Sequence, residues 1–209
     1  MTTILLTGFG PFPGAPFNPT EPLIKRLVRV RRPAFAGANI VSHIFATSYA
    51  AVDRELPSLL RDHNPDVLLM FGLAGQTRHL RVETLARNTL AGLPDAQGVA
   101  PAMHAIAPEQ ISTRTLPVPA RRLVAAARAA RVPVALSRDA GQYLCNYLCW
   151  RAAHAAGAPN GPRIAAFVHV PMIRRGPIPR ARIRRRLLNL DDLVRAGGAL
   201  LAAVAAASH

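Results

Sequence analysis

Short runs of apolar residues alternate along the chain with longer stretches in which apolar positions recur at helical spacing. That alternation is the signature of strands and helices interleaved in an α/β sheet. Residues 3–7 give a first strand, which runs into the Gly-, Pro- and Phe-rich loop 8–19. Thr20 stands where it can cap the following helix, with Glu21 and Pro22 suited to the first turn. Residues 39–46 read as a second strand and 49–62 as a second helix. The unbroken apolar run 66–71 (DVLLMF) has the character of a central parallel strand. Residues 80–88 look extended, and 90–109 form a long loop rich in Gly, Pro and Ala. A loop of that length is more often functional or interfacial than idle. Further along come a helix at 119–131, a short strand at 132–137, a helix at 145–156 and a strand at 163–169. A closing helix at 192–207 carries acidic residues near its start, as the helix dipole favours. Neither an internal repeat nor a linker interrupts the pattern. The expectation is one domain over 1–209, a three-layer α/β/α arrangement around a mostly parallel, twisted sheet.

The conspicuous loops fall where strands end. Phe9 and Phe12 follow the first strand, Gly72 to Gly75 follow the third, and His169 closes a late one. Ligands of open α/β sheets bind beyond the carboxyl ends of the strands, so these residues gather at one edge in the shape of a site.

Composition narrows the function classes. Half of the 209 residues are hydrophobic and 18% charged, ordinary for a globular chain, and no apolar run reaches membrane-spanning length. The start of the chain lacks a charged leader and passes at once into Ile4-Leu5-Leu6, which reads as a buried strand. Two cysteines four residues apart on one helix cannot staple a fold. They read as reduced thiols in a cytoplasmic protein. No Cys/His cluster has zinc-like spacing. The net charge of +15 raises the question of nucleic acid, but the excess is almost all arginine, and Lys25 is the sole lysine. The densest cluster, Arg174 to Arg186, is broken by prolines and has no aromatic stacking platform. It is read as a solvated or subunit-contacting segment rather than a nucleic-acid site.

Three residues stand out chemically. Cys145 follows Gly141-Gln142-Tyr143-Leu144, a turn-forming stretch leading into a helix. A thiol at a helix N-terminus is activated by the dipole, and the amides there can stabilise an oxyanion. Cys149, one turn later, fits a buried apolar cysteine. His169 ends an apolar strand before Pro171, as a satisfied core histidine or as a base projecting from the strand end. Glu83 lies in a half-buried extended segment and needs a partner: a histidine, or an arginine such as Arg81 or Arg87. A nucleophile, a base and an orienting acid make a triad in any chain order.

The order and spacing of four segments resemble the pyroglutamyl peptidase I family of cysteine peptidases, which remove an N-terminal pyroglutamate. These are Thr7-Gly-Phe-Gly-Pro-Phe12-Pro-Gly14 with Asn18-Pro19-Thr20; Gly72-Leu73-Ala74-Gly75 with Glu83 and Asn88; Ala140-Gly-Gln-Tyr-Leu-Cys145-Asn146; and Phe167-Val-His169-Val-Pro171. Fainter echoes occur at Pro94-Asp95, Gln97-Gly98 and 115–118. The resemblance implies Cys145 as nucleophile, His169 as general base and Glu83 as the acid that orients it, without metal or cofactor. It also implies that Phe9 and Phe12 line a pocket for the flat lactam ring, with Asn18 and Leu73 among the substrate-binding residues, and that the chain forms a homo-oligomer with the 89–110 loop at a contact. The chain departs from the family's pattern at Gln76-Thr77-Arg78, where the arginine comes one place late. It departs also at Gly10, where the family carries an acid, at Pro13, where it carries glycine, and at Thr84, where it carries arginine. Two other readings therefore stand beside the first: a divergent hydrolase of another small cyclic or N-terminal amide, and a non-enzymatic arginine-rich binding protein on the same fold.

Overall fold

The computed structural model describes residues 1–108, 110–174 and 187–208. The arginine cluster lies outside the described residues from Arg175 to Arg186. The elements follow in the order β1 (Thr3–Phe9), α1 (Thr20–Leu27), β2 (Asn39–Phe45), α2 (Tyr49–His63), β3 (Val67–Leu73), β4 (Leu80–Glu83), β5 (Leu85–Arg87), β6 (Thr113–Thr115), α3 (Ala120–Ala129), β7 (Val134–Ser137), α4 (Leu144–Ala156), β8 (Ile164–Val170) and α5 (Leu190–Ala207). A single 3₁₀ turn, Pro33–Phe35, precedes β2.

Six strands form one sheet in the order β2-β1-β3-β8-β4-β7. From β2 to β8 the neighbours are parallel. Strand β4 then pairs antiparallel with β8, and β7 runs parallel to β4, so the last two strands point the other way. The sheet is mostly parallel, as expected, with one reversed edge. The centre belongs to β3 and β8, whose sequences VLLMFGL and IAAFVHV are apolar at almost every position because helices cover both faces. On one face Ile4, Leu6, Leu69, Phe71, Ala166 and Val168 meet the apolar stripes of α1, α3 and α5. On the other, Leu5, Leu68, Met70, Ala165 and Phe167 meet α2 and α4. The period-two alternation of strand side chains splits the core into these two layers.

Two local expectations change. Thr20 does not cap α1. It is the first helical residue, behind Pro19, whose backbone is already helical. Its buried hydroxyl instead donates to the Phe9 carbonyl (2.8 Å) and accepts from the Phe9 amide (3.0 Å), clamping the loop after β1. At the other end of the chain, α5 begins two residues earlier than expected. Asn189 accepts from the Asp192 amide (2.9 Å) and Asp192 accepts from the Asn189 amide (3.1 Å), a reciprocal cap.

The stretch between β5 and β6 is fastened rather than loose. Asn88 spans its base, donating to the Ala107 carbonyl at 2.7 Å and accepting from the Ala107 amide at 2.8 Å. Asp95, 5% exposed, accepts from the amides of Tyr49 (3.1 Å), Gln97 (2.9 Å) and Val99 (3.1 Å). Burial alone would raise the Asp95 pKa, but these amides and the Ser48 hydroxyl hold it below the usual carboxylate value. Asp95 thereby satisfies the start of α2, where the Ser48 side chain makes no cap of its own. Among the described residues no helix is long and apolar enough to cross a membrane.

Candidate active site

The reversed strand β4 creates the site. In the β4–β8 ladder Glu83 lies opposite Phe167 and Arg81 opposite His169. All four side chains share one face, because alternate residues of a strand point the same way. Phe167 belongs to the layer under α4, so this is the face on which α4 sits. Glu83 and His169 are diagonal neighbours there, and Glu83 Oε1 meets His169 Nδ1 at 2.8 Å. Glu83 is fully buried and His169 is 4% exposed. The imidazole and the Phe167 ring meet edge to face, with centroids 5.0 Å apart and planes at 67°.

Cys145 enters from the opposite direction, as the second residue of α4. The chain reaches it through a turn at Asp139–Gly141. The Gly141 amide donates to Asp139 Oδ1 at 3.1 Å, and the positive φ of Gly141, 81°, suits a residue without Cβ. The thiol is half-buried and lies beside His169, whose pKa it helps to raise. Since Nδ1 faces Glu83, Nε2 is the ring nitrogen left for sulfur. The first amides of α4, which no intrahelical carbonyl can satisfy, surround the same helix end.

Gly72 makes room for this approach. It lies opposite His169 in the β3–β8 ladder. A Cβ there would fall 2.6 Å from Phe167 Cζ and 2.8 Å from Cys145 Sγ, both well inside contact distance. The thiol therefore sits where the side chain of any other residue would be.

Electrostatics follow from the geometry. Burial by itself would lower the His169 pKa, but the adjacent Cys145 and the Glu83 carboxylate outweigh it and raise the pKa to about 9. At neutral pH the imidazole is therefore protonated, held between sulfur and carboxylate. Cys149 is enclosed in the core, and burial pushes its thiol well above the ordinary value. Of the two thiols only Cys145 has the setting of a nucleophile.

The remaining site residues are distributed unevenly. Phe12 is half-buried on the first loop and meets Tyr143, two residues before the cysteine, at a centroid distance of 6.4 Å. Phe9 is 2% exposed and packs in the core on Phe45 at 6.0 Å. Asn18 is 3% exposed and its amide is occupied within the protein. It donates to the Gly10 carbonyl (3.0 Å) and accepts from the Thr20 amide and hydroxyl (3.1 and 2.9 Å). Leu73 ends β3 beside Gly72, opposite Val170 and half-buried. The loop Gly75-Gln76-Thr77-Arg78 turns back on itself, with the Thr77 amide donating to the Ala74 carbonyl at 3.1 Å and the Ala74 amide donating to the Val170 carbonyl at 2.9 Å.

Sequence reasoning passed over two contributors. Tyr143 anchors the long loop by donating to the Pro94 carbonyl at 2.9 Å, and burial together with nearby Asp95 and Cys145 raises its pKa. Its place two residues before Cys145 in the chain is the available signal. Asp139 reaches the acid as well as the turn, its amide donating to Glu83 Oε2 at 3.2 Å. Nothing in the sequence distinguishes this from an ordinary turn.

A buried carboxylate on the reversed strand β4, a charged imidazole at the end of the parallel strand β8 and a thiol at the N-terminus of α4 define the setting of a cysteine hydrolase on an α/β sheet. A profile of pyroglutamyl peptidases matches residues 2–208, and the chain belongs to that family. It is 30% identical over 202 residues to a pyrrolidone-carboxylate peptidase of Levilactobacillus brevis, covering 96% of either chain. With the enzyme of that name from Clavibacter michiganensis it shares 33% identity over 172 residues, 82% of this chain and 79% of the other. Among solved structures, pyroglutamyl peptidase I of Bacillus amyloliquefaciens is similar, with a TM-score of 0.82 and 29% identity over 100% of this chain and 98% of that one. The chain is a cysteine-type peptidase, and the non-enzymatic reading is set aside.

Proposed function

We propose that this protein removes N-terminal pyroglutamyl residues from peptides by acyl transfer through Cys145, His169 and Glu83, acting as one peptidase domain over 1–209. The observation that carries the reading is the continuous line from thiol to imidazole to carboxylate. The Cys145 thiolate attacks the carbonyl that joins pyroglutamate to the next residue, and the oxyanion forms near the free amides of α4. His169, protonated at neutral pH, gives its proton to the departing amine as the thioester forms. Neutral His169 then takes a proton from water, which attacks the thioester and releases pyroglutamate. Glu83 keeps Nδ1 protonated and Nε2 aimed at sulfur throughout. Pyroglutamate is small, neutral and nearly flat, and wants apolar walls with a few polar contacts. Phe12 and Leu73 supply open wall, Phe9 supports the loop from behind, and Asn18 holds that loop in shape.

The finer assignments follow the same reading. Two free thiols suit a reducing cytoplasm. Leu93, Val99, Met103 and Ile111 are each more than half exposed on the stretch between β5 and β6, a surface suited to a contact between copies in a homo-oligomer.

The testing experiment compares kcat/KM for pyroglutamyl and prolyl aminomethylcoumarins. A pocket shaped for the lactam leaves polar groups unpaired when proline's charged amine replaces it, so the pyroglutamyl substrate is favoured strongly. Phe12→Ala loses apolar contact worth about 1–3 kcal/mol, or roughly 5- to 150-fold in kcat/KM on the pyroglutamyl substrate. Comparable rates on the two substrates would point instead to another small N-terminal amide.

Gly72→Ala tests the close approach. Its methyl group must displace either the Phe167 ring or the Cys145 sulfur. A misplacement of about 1 Å at a reacting atom lowers turnover by about 100-fold. Circular dichroism is expected to report a folded protein with a reduced Tm. Normal turnover would show that sulfur does not need that space.

A further inference from the structure

We propose that Arg81 is a positioning residue for the reaction, a strap that holds Glu83 in line with His169 and ties it to the loop that delivers Cys145. In the sequence, Glu83 as the orienting acid and Glu83 as the partner of an arginine are alternatives; in the structure both contacts are present. Arg81 Nε lies 3.3 Å from Glu83 Oε1, the same oxygen that meets His169 Nδ1 at 2.8 Å. Arg87 turns away and pairs with Asp139 at 3.4 Å. The other end of the Arg81 guanidinium, Nη2, donates to Ser137 Oγ and to the Asp139 carbonyl. The Asp139 amide in turn donates to Glu83 Oε2 at 3.2 Å and to Ser137 Oγ at 3.2 Å. The result is a closed ring: Glu83, Arg81, Ser137, Asp139 and back to Glu83.

This ring has a mechanical and an electrostatic consequence. Ser137 ends β7, and Asp139 opens the turn that leads through Gly141 to α4. The strap therefore connects the acid of the triad to the segment that sets the position of its nucleophile. A fully buried carboxylate also needs compensation for lost hydration, and one imidazole partner covers only one of its oxygens. Arg81 is 24% exposed at its side chain, so it brings a permanent positive charge to the site while its own hydration is partly kept. The planar fork matters as well as the charge, since two different nitrogens reach two different segments at fixed geometry.

The inference rests on the proposed triad, and the experiment separates the two. Arg81→Met, Arg81→Lys and Ser137→Ala are made on the wild-type background, and Arg81→Met also on Glu83→Gln. Two readouts are followed: turnover of pyroglutamyl-aminomethylcoumarin and the rate of Cys145 alkylation by iodoacetamide. If Arg81 acts through Glu83, Arg81→Met lowers kcat by about 10- to 50-fold with KM within about twofold, a loss confined to the transition state. Arg81→Lys restores part of it. On Glu83→Gln, the same change costs less than about twofold further, because residues acting as a unit are not additive. Ser137→Ala, which keeps every charge, lowers kcat by a few-fold and serves as the test if Arg81→Met melts below assay temperature. Normal kcat in Arg81→Met, or equal losses on both backgrounds, overturns the inference. When Arg81→Met does not fold, normal kcat in Ser137→Ala does the same. A wild type that neither hydrolyses the substrate nor alkylates faster than a free thiol overturns the triad itself.

Discussion

Cys145→Ala is expected to abolish hydrolysis, a loss of about 10⁴-fold or more, whereas Cys149→Ala keeps most of the activity. The two thiols are one helical turn apart, so a difference between them isolates what the surroundings do. Cys145 is at the second position of α4, beside the imidazole of His169, with part of its surface open. Cys149 is fully enclosed between α4 and the sheet, and burial raises its pKa so that it stays a thiol. Removing the Cys149 sulfur leaves a small void costing on the order of 1 kcal/mol, visible as a lower Tm with little change in kcat. Iodoacetamide should add one carbamidomethyl group, at Cys145, as read by mass spectrometry of the intact protein and its peptides. Equal losses of activity in the two variants, or labelling at Cys149, would show that the local setting does not select the nucleophile.

Much of the architecture is legible because burial writes itself into composition. The run 66–71 is apolar at nearly every position because helices cover both faces of β3, and that alone marks it as a central strand. The helices α2, α4 and α5 came within about two residues of their expected limits, since each has one apolar face and a clear start or stop. Strand pairing is another matter. That β4 runs against β8 depends on contacts between residues 86 apart, and local periodicity does not encode them. Strand β6 is three residues long, contains Arg114, and lies in a stretch dominated by turn formers, so no pattern announces it. Thr20 misled for a physical reason: a hydroxyl next to a helix start is equally able to cap the helix or to bond a neighbouring strand. Here the Phe9 backbone offered both a donor and an acceptor.

The site shows the same division. Cys145, His169 and Glu83 could each be singled out from residue type and setting, but what joins them is a register. Had β4 slipped by one residue, Glu83 would lie on the face of α1, α3 and α5, away from the thiol. The role of Gly72 was equally hidden, because a glycine after an apolar strand reads as the start of a turn. Only the distance from its absent Cβ to sulfur shows that it makes room for the Cys145 thiol.

Glu83→Gln should lower kcat by about 10²- to 10⁴-fold while the protein remains folded, and the reason is a count of donors and acceptors. The two oxygens of Glu83 face His169 Nδ1–H, Arg81 Nε–H and the Asp139 amide, all of them donors. A carboxylate accepts from every one of them, but a carboxamide has a single acceptor oxygen. If that oxygen faces His169 and Arg81, the amide NH₂ confronts the Asp139 N–H. In the flipped orientation, NH₂ confronts Arg81 and donates to Nδ1, which forces the proton onto Nε2 and leaves the imidazole unable to take one from sulfur or water. The pH profile gives a second reading. In the wild type the His169 pKa is raised from 6.5 to about 9, with Cys145 and Glu83 as the groups that raise it. A group whose pKa is raised by folding stabilises the native state fully below its unfolded pKa and loses that contribution as pH climbs through the folded value. Wild-type activity and Tm should therefore both fall as pH rises through about 9, as the imidazolium is lost. In Glu83→Gln one of the raising groups is gone, so the alkaline limb of kcat moves to lower pH and Tm changes less between pH 7 and 10. The measurements are kcat against pH and thermal melts over the same range. An alkaline limb that stays at the wild-type position, together with wild-type kcat, would mean that Glu83 is a structural partner of Arg81 and does not act on His169.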